Sequence, residues 1–313
     1  MKISVIGAGN VGATAANVIA CRNLVDQLVL LDIKAGIAEG KAMDMMQTAH
    51  LLGIDTHIEG VTGDYPQTAN SNLIIITSGM ARRPGMSREE LISINAGIVK
   101  DVMQQCLKHS PDAIFLIISN PADTLTYLAI KETGLPRHRV IGMSGLLDSS
   151  RFGYFLSKAL NCPPLDVDAM VIGVHGDFML PLTRFAHYRG IPVEQLLSPA
   201  IIQKAELDTK VGGGTLTQLL GTSAWYAPGA TAAMMAEAIL RDSQKMISCI
   251  VLMEGEYEEN DVCAAVPVIL GKNGMERVVE LRLNSEEKKL FGKSIESARR
   301  TNNAMKDVLR KTI

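Results

Sequence analysis

No stretch of this 313-residue chain stays apolar for the ~20 residues that crossing a bilayer requires, so no membrane-spanning helix is expected. An excess of charge is missing too. The formal net charge of −2 leaves no electrostatic footprint for nucleic acid. Cysteine is scarce and unpatterned: Cys21, Cys106, Cys162, Cys249 and Cys263 are odd in number, scattered, and mostly set in apolar stretches. With no C-x-x-C and no histidine pair at ligand spacing, neither a disulfide framework nor a metal cluster is expected. The cysteines read as reduced core thiols of a cytoplasmic protein, and the chemistry as needing no metal. No charged leader with an apolar segment precedes the apolar run that begins at residue 2, so no signal or transit segment is expected.

What remains is an ordinary globular composition, 47% hydrophobic and 20% charged, long enough for a large core and for two domains. Sixteen methionines, dispersed through amphipathic segments, suit core filling. The most specific feature lies at the start. Gly7-Ala8-Gly9-Asn10-Val11-Gly12 follows the apolar run Lys2 to Ile6 and precedes the small-residue stretch Ala13 to Ala20. In such a strand-turn-helix the first glycine permits the tight turn and the second lets backbone approach a pyrophosphate. The third lets the helix pack on the strand, and the helix N-terminus offers amide hydrogens to the phosphates. Glycine-rich turns also occur for purely structural reasons. Asp32, twenty residues past the last glycine and at the end of the apolar run 28–31, supplies the context, because a carboxylate there accepts both hydroxyls of an adenosine ribose. The same charge repels a 2′-phosphate and no arginine follows it immediately, which favours NAD over NADP, although Lys34 is a cation at the same edge.

Strands are expected near 2–6, 27–31, 57–61, 73–77, 113–118 and 139–142, alternating with helices. Runs such as Leu73-Ile74-Ile75-Ile76 indicate strands covered on both faces of a parallel sheet. Residues 87–109 read as a helix, opened by Ser87 and Glu90 at capping-box spacing and closed before Pro111. After residue 144 the rhythm changes. A helix near 145–160 leads to strands near 167–174 and 179–186 and helices near 193–220 and 223–242. A late sheet follows at 248–254, 262–270 and 277–281, with Gly271-Lys272-Asn273-Gly274 as a hairpin turn, and then a long charged helix from Ser285. The fold class is therefore α/β: an N-terminal doubly wound parallel sheet of Rossmann type over residues 1–143, and a C-terminal α+β substrate domain over 144–313.

A hydride-accepting cofactor needs a partner that removes a proton, and Gly173-Val174-His175-Gly176-Asp177 presents one of only six histidines between glycines at the end of an apolar run. Lone histidines are more often structural. In Leu146-Leu147-Asp148-Ser149-Ser150-Arg151-Phe152, however, Asp148 and Arg151 lie three apart, on one side of a helix. The carboxylate can hold the imidazole in one tautomer and the guanidinium can clamp a substrate carboxylate, unless the two merely face each other in solvent. The segment Gly79-Met80-Ala81-Arg82-Arg83-Pro84-Gly85-Met86-Ser87-Arg88 carries three arginines between a buried strand and a helix. It reads either as a lid over an anionic substrate or as a solvated loop.

Taken in order, GAGNVG, LLD, ITSGMARRPGMSR, Ile118-Ser119-Asn120-Pro121, LDSSRF and GVHGD closely resemble the lactate/malate dehydrogenase family over essentially the whole chain, and within it the lactate-dehydrogenase-like malate dehydrogenases. The resemblance implies that His175 exchanges the proton, that Asp148 is its partner, and that Arg151 clamps the carboxylate beside the reacting carbon. It makes Arg88 the lid residue that polarises the ketone, Asn120 a contact to substrate and nicotinamide ribose with a cis bond to Pro121, and Ser223 a small hydroxyl near the substrate. It extends the cofactor contacts from Gly7, Gly9, Asn10, Val11, Gly12 and Asp32 to Thr77, Ser78, Gly79, Asn95 and Ile118. At Arg82, the specificity position, malate enzymes carry arginine and lactate enzymes usually glutamine. A second guanidinium there pairs with the distal carboxylate of oxaloacetate. The implied enzyme is a cytoplasmic NAD-dependent oxidoreductase of the tricarboxylic acid cycle, a homotetramer built from dimers or else a dimer, with a small-molecule substrate and no nucleic-acid or membrane partner. The alternatives are a lactate or other 2-hydroxy-acid dehydrogenase and, from other classes, an NAD-dependent glycosidase or a non-catalytic nucleotide-binding protein.

Overall fold

Six parallel strands form one half of the main sheet: β1 (Lys2–Ile6), β2 (Gln27–Asp32), β3 (His57–Thr62), β4 (Leu73–Ile76), β5 (Ile114–Ile117) and β6 (Val140–Gly142). They lie in the order β3-β2-β1-β4-β5-β6 in the computed structural model, which describes residues 1–80 and 88–311. This is the doubly wound arrangement read from the sequence, and the order reverses between β1 and β4. The connecting helices are α1 (Asn10–Cys21), α2 (Ile37–Gln47), α3 (Ala49–Leu52), α4 (Arg88–His109) and α5 (Ala122–Thr133).

The unbroken apolar strands have a direct physical reason. In β4, Leu73 and Ile75 join a core with α1 residues such as Ala16 and Ile19, while Ile74 and Ile76 join one with Val99 and Met103 of α4. Successive side chains of β4 point to opposite faces, and both faces are covered, so β4 has no position left for a polar residue.

The second half contributes α6 (Gly145–Leu160), the short strands β7 (Val167–Asp168), β8 (Val171–Ile172), β9 (Leu180–Pro181), β10 (His187–Tyr188) and β11 (Ile191–Pro192), the helices α7 (Pro199–Leu220) and α8 (Tyr226–Leu240), the strands β12 (Lys245–Glu254), β13 (Asn260–Gly271) and β14 (Gly274–Val278), and α9 (Ser285–Lys311). Three departures from the sequence reading stand out. The late strands do not make a sheet of their own. They extend the first one to nine strands, β12 lying antiparallel to β6 through Ile250 opposite Gly142. A side chain at residue 142 would not fit, since a Cβ there would lie 2.9 Å from Ile250 Cβ and 2.3 Å from Thr126 Oγ1. The strands expected at 167–174 and 179–186 are two-residue ladders, β7 pairing with β10 and β8 with β9. Alternation of partners, not continuity of the chain, decides their length. The helix expected from 193 starts at Pro199, because Ser198 is held extended (φ −69, ψ 153) ahead of the proline and residues 193–195 form only a 3-10 turn.

Candidate active site

The Gly7–Gly12 turn lies at the C-terminal end of β1, beside the reversal of strand order. Each glycine answers to a different contact. Gly7 sits at φ +106, and a Cβ on it would lie 2.7 Å from the Ser78 amide nitrogen. A Cβ on Gly12 would come within 1.9 Å of Gly7 O and 2.6 Å of Thr77 Oγ1. Around Gly9 the same construction meets nothing within 4 Å among the described residues beyond its chain neighbours. Thr77 is the peg that closes this packing, its hydroxyl donating to Gly7 O at 2.9 Å. The exposed Asn10 and half-buried Val11 open α1, whose N-terminus has no side-chain cap and no acidic residue in its first turn. An open face over free amide hydrogens fits a pyrophosphate.

A cleft of about 540 Å³ runs from this turn, lined among others by Gly9, Asp32, Thr77, Ser78, Gly79 and Ile98. Asp32 accepts the Ala8 amide at 2.7 Å on one oxygen and the Lys34 amide at 2.9 Å on the other. Each carboxylate oxygen keeps a second lone pair for a ribose hydroxyl. The buried Ser78 hydroxyl has no partner among the described residues. Ile118 is buried at the end of β5, and Ser119 donates to Ser78 O at 2.5 Å. Asn95, 2% exposed, is spent on backbone: it accepts the Met80 amide at 2.7 Å and donates to Met80 O at 3.2 Å and Asn120 O at 2.9 Å. Asn120 itself is exposed, and its bond to Pro121 is cis.

The second cluster is made of side chains from distant segments. Asp148, on the first turn of α6 with a side chain 2% exposed, accepts His175 Nδ1 at 2.8 Å on Oδ2 and Arg151 Nη1 at 3.3 Å on Oδ1. The turn carrying His175 leaves β8 through Gly173 (φ +88) and is pinned where the Val174 amide donates to Ser294 Oγ of α9 at 2.8 Å. Burial opposes the imidazolium, but the charge and hydrogen bond of Asp148, with the charge of Asp123 behind them, outweigh it and hold the pKa of His175 above the ordinary histidine value. Arg151 is 12% exposed and lies along α7, where a Cβ on Gly212 would stand 2.6 Å from Arg151 Cδ.

The structure thus brings His175, Asp148 and Arg151 together. Ser223 is exposed on the connection between α7 and α8. Arg82, and with it Arg83, Ser87 and its proposed cap, lie outside the described residues, as does the side chain of Arg88, which begins α4. Two residues escaped the sequence reading. Asp123 accepts the His175 main-chain amide at 3.1 Å, and Gly212 makes room for Arg151. Their signals were an acid two residues beyond Asn120-Pro121 and three glycines in mid-helix at 212–214, where each costs about 1 kcal/mol against alanine.

Residues 1–142 match the lactate/malate dehydrogenase NAD-binding domain, and residues 146–308 the lactate/malate dehydrogenase alpha/beta C-terminal domain. A malate dehydrogenase of Parabacteroides distasonis is 59% identical over 308 residues, 98% of each chain. Among solved structures, the malate dehydrogenase of Salinibacter ruber superposes with a TM-score of 0.96 at 40% identity over all of both chains. The lactate dehydrogenase of Eimeria maxima with NADH and oxamate gives 0.94 at 35%, covering 100% of this chain and 96% of that one. With glycine turn, shared carboxylate and both domain matches in agreement, the chain belongs to the lactate/malate dehydrogenase family.

Proposed function

We propose that the protein catalyses the reversible, NAD-dependent oxidation of (S)-malate to oxaloacetate. The observation that carries this reading is the single buried carboxylate of Asp148, held at once by His175 and Arg151. When bound, NAD supplies the hydride acceptor at nicotinamide C4. With Nδ1 taken by Asp148, His175 has Nε2 left to receive the hydroxyl proton of malate as the C2–H bond breaks and C2 becomes a ketone, and to return that proton in the reverse direction. Arg151 grips the C1 carboxylate and fixes C2 before the imidazole. The turn at Gly7–Gly12 and Asp32 seat the dinucleotide, with Thr77, Ser78, Gly79, Ile118, Asn95 and Asn120 shaping the nicotinamide side. Ser223 borders the substrate.

Arg82 and Arg88 complete the site in this reading, Arg88 on the ketone oxygen and Arg82 on the distal carboxylate. An unpaired buried carboxylate costs several kcal/mol, so residue 82 decides between a diacid and a monoacid. The likeness to a lactate dehydrogenase structure favours a second reading, pyruvate reduction, which the arginine at 82 opposes. The division at residues 143 and 144 separates cofactor from substrate halves. The same reading makes the protein a cytoplasmic enzyme of the tricarboxylic acid cycle and a homotetramer of dimers, supported by exposed Leu51 and Leu219, 78% and 77% accessible. Light scattering tests the assembly.

A panel of oxaloacetate, pyruvate and other 2-oxo acids with NADH and NADPH tests the activity. Oxaloacetate with NADH should be fastest; faster turnover of pyruvate would defeat the assignment. Arg82→Gln should depress oxaloacetate turnover far more than pyruvate turnover, and equal losses would remove residue 82 from specificity.

A further inference from the structure

Asp123 has no part in the proton transfer described above, yet its carboxyl lies against the same histidine. It stands in the first turn of α5 and is 5% exposed. Oδ2 accepts the His175 main-chain amide at 3.1 Å, while the buried Oδ1 has no partner among the described residues. A buried carboxylate with an unpaired oxygen is costly, and a neutral acceptor such as an asparagine or serine holds a main-chain amide without burying a charge. The retained acid therefore needs a use that a neutral acceptor does not serve.

We propose that Asp123 is a positioning residue for His175: Asp148 fixes the ring, Asp123 fixes the main chain beneath it, and the two carboxylates together hold the imidazole in its acid form. The inference rests on the reading that His175 exchanges the substrate proton. The charged neighbours are few. Asp148 and Arg151 face the imidazole from α6, the first favouring the imidazolium and the second opposing it. Cys263 faces Asp123 from β13, and burial pushes its thiol well up, which leaves it neutral. Burial pushes the Asp123 carboxyl up to about 6, with the charge of His175 pulling against it. Above that pH the second negative charge is in place.

Asp123→Asn keeps the acceptor and removes the charge; Asp123→Ala removes both. In D123N the pH at which oxaloacetate reduction fails, and the pH at which malate oxidation sets in, should both fall by about half a pH unit, less than a carboxylate in direct ring contact imposes. In D123A kcat should drop about 10- to 100-fold, as a displaced catalytic group requires, with the KM for NADH unchanged. A D123N profile that overlays the parent's, or a D123A kcat equal to the parent's, would overturn the proposal. If the unmodified protein reduced no 2-oxo acid, the functional reading would fall by itself, and ¹⁵N titration of the His175 ring in the cofactor-free protein would still decide: a lower midpoint in D123N supports the inference and an equal one refutes it. Should neither variant fold, the unmodified protein serves. Its His175 amide should shift through an acid step separate from that of the ring, and a flat response there sinks the idea.

Discussion

The glycine-turn cleft and the His175 cluster lie in one molecule and are built by opposite means. Around Gly7–Gly12 the working parts are backbone: a turn at positive φ, free helix amides, and Cβ positions that are either forbidden or empty. Around His175 they are charged side chains, three of them from two helices and one from a loop: Asp148 and Asp123 are buried, His175 and Arg151 half-buried, with Asp148 bonding both His175 and Arg151 and Asp123 bonding the His175 main chain. A backbone site depends on absent atoms and tolerates no additions at its packed glycines. A side-chain site depends on charges present and tolerates no removals.

Removing the ring tests the second region most severely. His175→Asn should lower kcat in both directions about 10³-fold, the usual worth of a general acid–base group, while NADH binding read by fluorescence is retained. If NADH binding fell as well, the two regions would not be separable. Asp148→Asn is next in size, with kcat down about 10²-fold through loss of the fixed tautomer. It also has a signed pH effect. The raised value of His175 keeps the imidazolium past the ordinary histidine range, so oxaloacetate reduction persists there and declines as pH rises through that value. Malate oxidation, which needs the neutral ring, grows through the same pH. Removing the Asp148 charge lowers the value, and both limbs should move to lower pH; limbs that stay in place would place the source of the shift elsewhere.

The same contrast governs what was legible beforehand. The backbone site could be read because its requirements fall within six consecutive residues and Asp32, and the parallel, doubly wound character of the sheet followed from apolar runs that two covered faces explain. His175, Asp148 and Arg151 were legible as a possible set from the residues alone, and the resemblance gave each its role. Asp123 was not, because its role lies in a main-chain amide 52 positions away, which no local pattern encodes. Gly212 was hidden for a similar reason: a helix with three glycines announces a cost but not the Arg151 side chain it accommodates. The join of β12 to β6 likewise rests on one glycine that reads as an ordinary strand end.

Within the backbone site the glycines separate fold from ligand. Gly12→Ala places a methyl 1.9 Å from Gly7 O and should cost on the order of 1–3 kcal/mol of stability, read as a lowered Tm without cofactor. A methyl on Gly9 meets no atom of the described residues beyond its chain neighbours within 4 Å, so the Tm of Gly9→Ala without cofactor should match the parent's while the rise in Tm given by saturating NADH shrinks. A Gly9→Ala protein that lost stability but kept the NADH shift would reverse the assignment of that space.

The smallest effect crosses the two regions, because at α7 an absent atom serves a charged side chain. A methyl on Gly212 would meet Arg151 Cδ at 2.6 Å; on Gly213 it would touch Nη2 at 4.0 Å, and on Gly214 nothing within 4 Å among the described residues outside the helix's own backbone. Each Gly→Ala change removes a helix penalty of about 1 kcal/mol, so stability alone would rise at all three positions. The side chain that must give way at Gly212 is the flexible Arg151, not the backbone, so the cost falls on the residue proposed as the clamp. Gly212→Ala should therefore raise the oxaloacetate KM several-fold while kcat and NADH affinity change little, and Gly214→Ala should gain stability at constant KM. Equal KM values in the two variants would show that Arg151 finds its place without the glycine, and that the α7 triplet belongs to the helix rather than to the site.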